Sequence, residues 1–203
     1  MNLTGYQLKT ELYNGSRTVV YRGERELDSQ PVAIKLLKNP YPAFNELVQF
    51  RNQYTITKNL KSPLIIQTYS LETYQNSYAL VMEDFGGVAL SNYFQVGQKL
   101  SSQLLSEFLS IAIVLCEALD LLYRERVIHK DIKPSNILIN PQTQEVKLID
   151  FSIASLLPRE SQTLVNPNVL EGTLAYISPE QTGRMNRGID YRTDFYSLGV
   201  TFY

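Results

Sequence analysis

HKDIKPSNILI, residues His129 to Ile139, and IDFS, residues Ile149 to Ser152, decide how this sequence is read. Asp131, Lys133 and Asn136 fall in one short loop between a long apolar helical pattern and a short strand pattern, and Asp150 arrives at the end of the next strand. The group supplies a carboxylate base, a cation and two metal-facing oxygens. Transfer of a phosphoryl group needs little more than positioning, a proton acceptor for the attacking hydroxyl, and cations against phosphate charge. Singly, Asp131, Asn136 and Asp150 also suit turns and caps; their joint spacing carries the reading.

Immediately upstream, SSQLLSEFLSIAIVLCEALDLLYRER (Ser101 to Arg126) reads as a long helix with Ser at its start and Arg at its end. Immediately downstream, ILI, the turn NPQTQE and VKLI form a hairpin. The stretch from Asp150 to Arg192 is loop-rich, and loops of that length are usually binding or regulatory elements. Farther upstream, Tyr6–Tyr13, Thr18–Arg25 and Pro31–Leu37 read as a meander of strands. The apolar spacing from Pro42 to Leu60 predicts a helix that SP at Ser62 and Pro63 stops. Strands are predicted at Ile65–Leu71 and Tyr78–Glu83, with Gly86 and Gly87 as a hinge.

These segments resemble the eukaryotic-type protein kinase domain, whose catalytic loop reads HRDxKxxN and whose metal aspartate opens DFG. VAIK (Val32 to Lys35) is similar to its phosphate-binding strand. GTLAYISPE (Gly172 to Glu180) resembles its peptide-docking and APE segment, and TDFYSLG (Thr193 to Gly199) the start of the large central helix of its second lobe. The resemblance implies an α+β, protein-kinase-like two-lobed fold with an incomplete C-lobe. Residues 1–85 would form the N-lobe, five strands and one helix. Residues 86–203 would form a C-lobe truncated in its central helix, leaving Leu198, Val200 and Phe202 without helical neighbours.

The implied activity is phosphorylation of Ser or Thr on a protein substrate with ATP and Mg²⁺. Asp131 would be the base and Lys133 would neutralise the transferring phosphate, its pairing with Thr173 resembling the serine/threonine branch. Asn136 and Asp150 would bind the metal. Lys35 would hold the α- and β-phosphates, and Gly15 would bring a backbone N–H to them. Leu12, Val20, Ala33 and Leu138 would sandwich the adenine beneath the gatekeeper Met82, and the backbone of Glu83 and Phe85 would meet its edge. More narrowly, LIDFSIASLLPRE and the run from Glu171 to Tyr203 resemble the N-terminal kinase domain of large bacterial, especially cyanobacterial, multidomain sensor histidine kinases. That likeness implies further signalling domains in the full-length chain.

The sequence departs from the family pattern in several places. The GxGxxG positions are Tyr13, Gly15 and Thr18, so one glycine of three survives. The helix carboxylate that should pair with Lys35 counts to Gln53, whereas Glu46 lies two turns earlier. Lys130 stands where Arg is commonest, which predicts weak dependence on phosphorylation of Ser155, Ser161 or Thr163, and Ser152 replaces the glycine of DFG. His129, the one histidine, is expected to be structural, and Cys116 to be a small core residue. These changes leave a rival open, a pseudokinase serving as a nucleotide-binding regulatory or scaffold module. A small-molecule kinase is opposed by GTLAYISPE.

Composition narrows the partners. Nineteen Lys and Arg against twenty Asp and Glu in 203 residues give −1, without the field of a nucleic-acid binder. A single cysteine excludes an internal disulfide. The N-terminus lacks a signal-peptide pattern, and Glu107, Glu117 and Asp120 interrupt the most apolar run, so no membrane span and a cytoplasmic location are expected.

Overall fold

The computed structural model describes residues 3–94, 101–157, 172–183 and 188–203. The chain divides into two compact units, Met1–Gly86 and Gly87–Tyr203.

In the first unit, β1 (Tyr6–Asn14), β2 (Thr18–Arg25), β3 (Gln30–Leu37), β4 (Thr68–Tyr74) and β5 (Ser77–Glu83) form one antiparallel sheet in the order β1-β2-β3-β5-β4. Alternation along the strands splits its side chains between two faces. Val19, Val32, Ile34, Leu36, Ala79 and Val81 build a buried core with Leu3, covered by Tyr6, Leu8, Tyr21 and Tyr74. The other face carries the direct cross-strand pairs Val20 with Lys35 and Ala33 with Met82. The pairings β2–β3 and β3–β5 keep register throughout, whereas β1 is shifted against β2 at Lys9 and Leu12, and β4 against β5 at Tyr69.

Helix α1 (Phe44–Asn59) packs against β4 and β5. Its first turn is closed by Glu46, whose Oε2 accepts the Ala43 N–H at 2.8 Å. Phe50, Gln53, Ile56 and Thr57 form its buried face. The Thr57 hydroxyl donates to the Gln53 carbonyl at 2.7 Å and lies 2.6 Å from the Thr68 hydroxyl, tying helix to sheet. Strand β4 begins three residues later than its apolar sequence suggests. Ile65 and Ile66 are buried, yet they sit in a loop held by Gln67, whose Nε2 donates to the carbonyls of Ser62 and Ile65 at 2.9 and 3.1 Å.

The second unit contains β6 (Val88–Ala89), α2 (Leu90–Tyr93), α3 (Ser102–Arg124), β7 (Val127–Ile128), β8 (Ile137–Ile139), β9 (Val146–Leu148), β10 (Ser155–Leu156) and α4 (Arg192–Phe202), with 3-10 turns at Pro134–Asn136 and Pro179–Thr182. Strands β6, β8 and β9 form one small sheet, and β7 pairs with β10. Ser101 caps α3 by accepting the Leu104 N–H at 3.1 Å. Ile111, Leu115, Ala118, Leu119 and Leu122 form its buried face.

Two expectations need correction here. Cys116 is exposed, because it lies on the outward side of α3, which also shows Leu105, Leu109 and Ile113. Leu198 is buried, and Phe202 meets Phe108 of α3 edge-on with ring centroids 5.5 Å apart, so the interior of the unit takes side chains expected to lack neighbours. Among the described residues no helix is long and apolar enough to cross a membrane.

Candidate active site

The loop after β7 is built around a buried carboxylate. Asp194 of α4 accepts the backbone N–H groups of His129 and Lys130 at 2.7 and 2.8 Å. Only 3% of Asp194 is exposed, and burial pushes its carboxyl above the ordinary aspartate range, while the backbone N–H groups of His129 and Lys130 and the Lys130 charge work the other way. These bonds help to hold Lys130 in the left-handed region, φ 69°, a conformation that costs a residue with a side chain about 1–2 kcal/mol. His129 is fully buried. Its Nδ1 accepts the Asp131 N–H at 3.3 Å and its Nε2 lies 2.9 Å from the Ile149 carbonyl, an arrangement of the neutral ring with the proton on Nε2. The ring also meets Phe151 edge-on at 4.5 Å. A histidine so engaged is structural, as its position in the sequence suggested.

On this frame four predicted residues meet. Lys133 Nζ donates to Asp131 Oδ2 at 2.7 Å and to Thr173 Oγ1 at 2.6 Å. The Thr173 hydroxyl donates to Asp131 Oδ1 at 2.9 Å, and Asn136 Nδ2 donates to Asp131 Oδ2 and to its backbone carbonyl, both at 2.9 Å. The side chains of Lys133 and Asp131 are 20% and 15% exposed, so the carboxylate is oriented by three donors yet still reaches solvent. Asn136 closes the 3-10 turn before β8, and its carbonyl accepts the Ile149 N–H at 3.0 Å. Asp150 follows directly in the left-handed region, φ 62°. The β8–β9 hairpin thereby sets the two metal-binding candidates beside each other's backbones. Their side-chain oxygens are hard donors that suit Mg²⁺, which takes one or two carboxylates and completes its shell with phosphates and water. Among the described residues no three His, Cys, Asp or Glu side chains cluster around a common centre.

In the first unit, Lys35 Nζ donates to Gln53 Oε1 at 3.0 Å and lies 5.7 Å from the centre of the Phe50 ring. Glu46 is engaged at the helix start instead, so between the two side chains that the sequence offered, it is Gln53 that partners the lysine. Ala33 and Met82 are buried on the same face of the sheet as Lys35, beside half-buried Val20. Leu12 is the extra residue of a bulge and is exposed. Glu83 donates its N–H to the Gln67 carbonyl at 3.0 Å, so that N–H is engaged within the first unit. Phe85 is half-buried beyond β5, and Leu138 is half-buried in β8 of the second unit.

The turn between β1 and β2 differs from expectation. The Gly15 N–H donates to the Thr18 carbonyl at 2.9 Å, and the Gly15 carbonyl accepts Lys38 Nζ at 3.0 Å. The amide that the resemblance assigns to the phosphates thus closes the turn in this structure. A Cβ on Gly15 would fall 2.3 Å from the Tyr13 hydroxyl, so Tyr13 lies over this glycine. Ser155 pairs with Ile128 in the β7–β10 ladder, and Ser161 and Thr163 lie outside the described residues.

The family resemblance assigned no role to Asp194 within TDFYSLG. A charged residue on the apolar side of α4 was the available signal for Asp194.

The description "Protein kinase domain" fits the family model that matches residues 6–203. A probable serine/threonine-protein kinase of Clostridium perfringens is 31% identical over 199 residues, covering 98% of this chain and 28% of its own. The serine/threonine-protein kinase PrkC of Bacillus subtilis is 31% identical over 201 residues, 98% of this chain and 30% of its own. PknB of Mycobacterium tuberculosis is 28% identical over 205 residues, 98% of this chain and 32% of its own. The chain thus spans under a third of the length of these relatives. With a family match running from β1 to the last residue, over a loop whose Asp131, Lys133 and Asn136 are bonded together and to Thr173, the chain belongs to the protein kinase domain family.

Proposed function

We propose that this chain transfers the γ-phosphate of ATP to a Ser or Thr hydroxyl of a protein substrate. The observation that supports it most is the closed network in which Thr173, Lys133 and Asn136 all donate to the Asp131 carboxylate. A carboxylate held in one orientation and still reaching solvent suits a general base. As the new bond forms from the acceptor oxygen to γ-phosphorus, the hydroxyl proton passes to Asp131 and the bond to the β-phosphate oxygen breaks, ADP leaving. Lys133, beside Asp131, opposes the charge on the phosphoryl oxygens. Lys35 holds the α- and β-phosphates, Leu12, Val20, Ala33, Met82 and Leu138 pack on the adenine, and Glu83 and Phe85 offer it backbone groups. Asn136 and Asp150 would hold Mg²⁺, which supplies charge neutralisation at the phosphates. Protein substrates and further signalling domains of a longer chain are the partners of this reading.

Asp131→Asn tests it. Turnover should fall by about 10²–10⁴, the usual contribution of a general base, with ATP binding nearly intact. Asp150→Ala should abolish Mg²⁺-dependent nucleotide binding. Undiminished transfer by both variants refutes the mechanism.

The engaged amide of Gly15 and the neutral partner of Lys35 favour a second reading, a nucleotide-binding pseudokinase. It predicts a wild-type protein that binds ATP and never transfers phosphate.

A further inference from the structure

The peptide group that joins Lys130 to Asp131 is fixed at both of its polar ends. Its N–H, on Asp131, donates to His129 Nδ1. Its oxygen, on Lys130, accepts Gln181 Nε2 at 3.0 Å. The orientation of this plane sets the direction in which Asp131 leaves the backbone, and Lys130 holds a left-handed φ that the chain would otherwise avoid.

Gln181 itself is 7% exposed and anchored from behind. Its Oε1 accepts both the N–H and the hydroxyl of Ser178, at 3.2 and 3.1 Å. That fixes the amide orientation, so the NH₂ faces the Lys130 carbonyl. Gly172 closes the same spot from another side. Its φ is 113°, and a Cβ there would lie 3.1 Å from the Lys130 oxygen and 3.5 Å from Gln181 Nε2. The 172–182 segment therefore reaches the loop twice, through Thr173 to the side chains of Asp131 and Lys133 and through Gln181 to the backbone in front of Asp131.

We infer that Gln181 is a positioning residue for Asp131: it clamps the Lys130 carbonyl and makes the geometry of the base depend on the fold of the Ser178–Thr182 turn. This rests on the proposed phosphotransfer and goes beyond it by giving a role to a residue outside the reacting groups named there. Misplacement of a reacting group by about 1 Å can lower the rate about 10²-fold, so loss of the clamp should appear in kcat.

Gln181→Glu is the discriminating change. It keeps an oxygen for Ser178 and replaces the donor to Lys130 with a second acceptor. Ser178→Ala removes the hydroxyl bonds to Gln181 and Thr193 and leaves the position-178 N–H on Gln181 Oε1 and the donor to Lys130 in place. Lys130–Asp131 is the single Lys-Asp step in the sequence. Carbonyl-¹³C lysine with ¹⁵N aspartate therefore gives one correlated peptide signal in the folded protein, reporting the clamped carbonyl directly. We expect Gln181→Glu to shift this carbonyl signal and to lower kcat about tenfold to a hundredfold, with peptide KM and ATP Kd within about twofold of wild type. Ser178→Ala should have the smaller effect on kcat.

An unmoved carbonyl signal overturns the clamp. A moved signal with unchanged kcat overturns the positioning role, as does a rise in peptide KM at constant kcat, which would make Gln181 part of substrate docking. A wild-type protein without phosphotransfer refutes the proposed function instead, and the carbonyl signal then decides the clamp alone.

Discussion

Replacing Gln53 tests an arrangement in which this chain departs from the family pattern. Lys35 and Gln53 are 7% and 1% exposed, and their 3.0 Å bond joins a buried ammonium to a neutral amide oxygen. Gln53→Leu removes the acceptor at nearly constant volume. A hydrogen bond to a charged group contributes about 1.5–3 kcal/mol, which corresponds to roughly 10- to 150-fold in the population of correctly held lysine. In a chain of this size each kcal/mol lowers Tm by about 2–4 °C, so a drop of about 3–12 °C is expected. Gln53→Glu acts in two opposing ways. At an effective dielectric of about 20, the attraction at this distance is about 5–6 kcal/mol, and burying the carboxylate costs several kcal/mol in return. Stability should change little. The charge-assisted bond is roughly twice as strong as the neutral one, and a gain of about 1 kcal/mol in holding Lys35 should raise kcat/KM for ATP about fivefold. Glu46→Gln should leave both readouts unchanged, because Glu46 serves the Ala43 N–H and glutamine keeps an acceptor oxygen. Thermal melts and steady-state kinetics over a range of ATP decide it. Inactivation by Glu46→Gln together with neutral Gln53→Glu and Gln53→Leu would refute the argument.

Asp194 gives a pH test with a definite sign. Its carboxyl is raised by burial from an ordinary value of 3.8, so the stability it contributes is fully present below that value and is lost as pH rises through the raised one. The Tm difference between wild type and Asp194→Asn should therefore be most favourable to wild type at acid pH and shrink toward neutrality; a difference that grows with pH contradicts it. Gly172→Ala should destabilise by at least about 1–2 kcal/mol, since φ 113° excludes a side chain and the new Cβ would crowd the Lys130 oxygen. Chemical denaturation measures this, and a wild-type midpoint would show that the segment adjusts without strain.

What was legible in the sequence followed periodicity and local spacing. The strands from Tyr6 to Leu37 and helix α3 are long enough for their patterns to show, and the β8–β9 hairpin was marked by the turn between its two apolar runs. Strands β6, β7 and β10 have two residues each, too few for any period. Ile65 and Ile66 imitate a strand because burial, which the sequence reports, does not distinguish a ladder from a loop stapled by the Gln67 side chain. The site divides in the same way. Asp131, Lys133 and Asn136 share one loop and could be read together. The pairing with Thr173 came only through the resemblance, and the bonds from Gln181 and Asp194 to that loop join residues tens of positions apart. At Gly15 the sequence shows the absence of a side chain but not the Thr18 carbonyl that engages its amide.

The register shifts of the five-stranded sheet have a consequence for life at high concentration. An outermost strand presents backbone donors and acceptors that a second copy can extend, the first step of aggregation. The shifts fall in the pairings of the two outermost strands, at Lys9 and Leu12 of β1 and at Tyr69 of β4, and spare the central ladders. Each takes a residue out of the ladder and adds local twist, so an incoming strand loses register within a few residues. Lys9 and Glu11 on β1 and Glu72 on β4 add charges that stacking with an identical strand would bring together. The sheet is irregular where regularity would invite polymerisation and regular where Lys35 must be held.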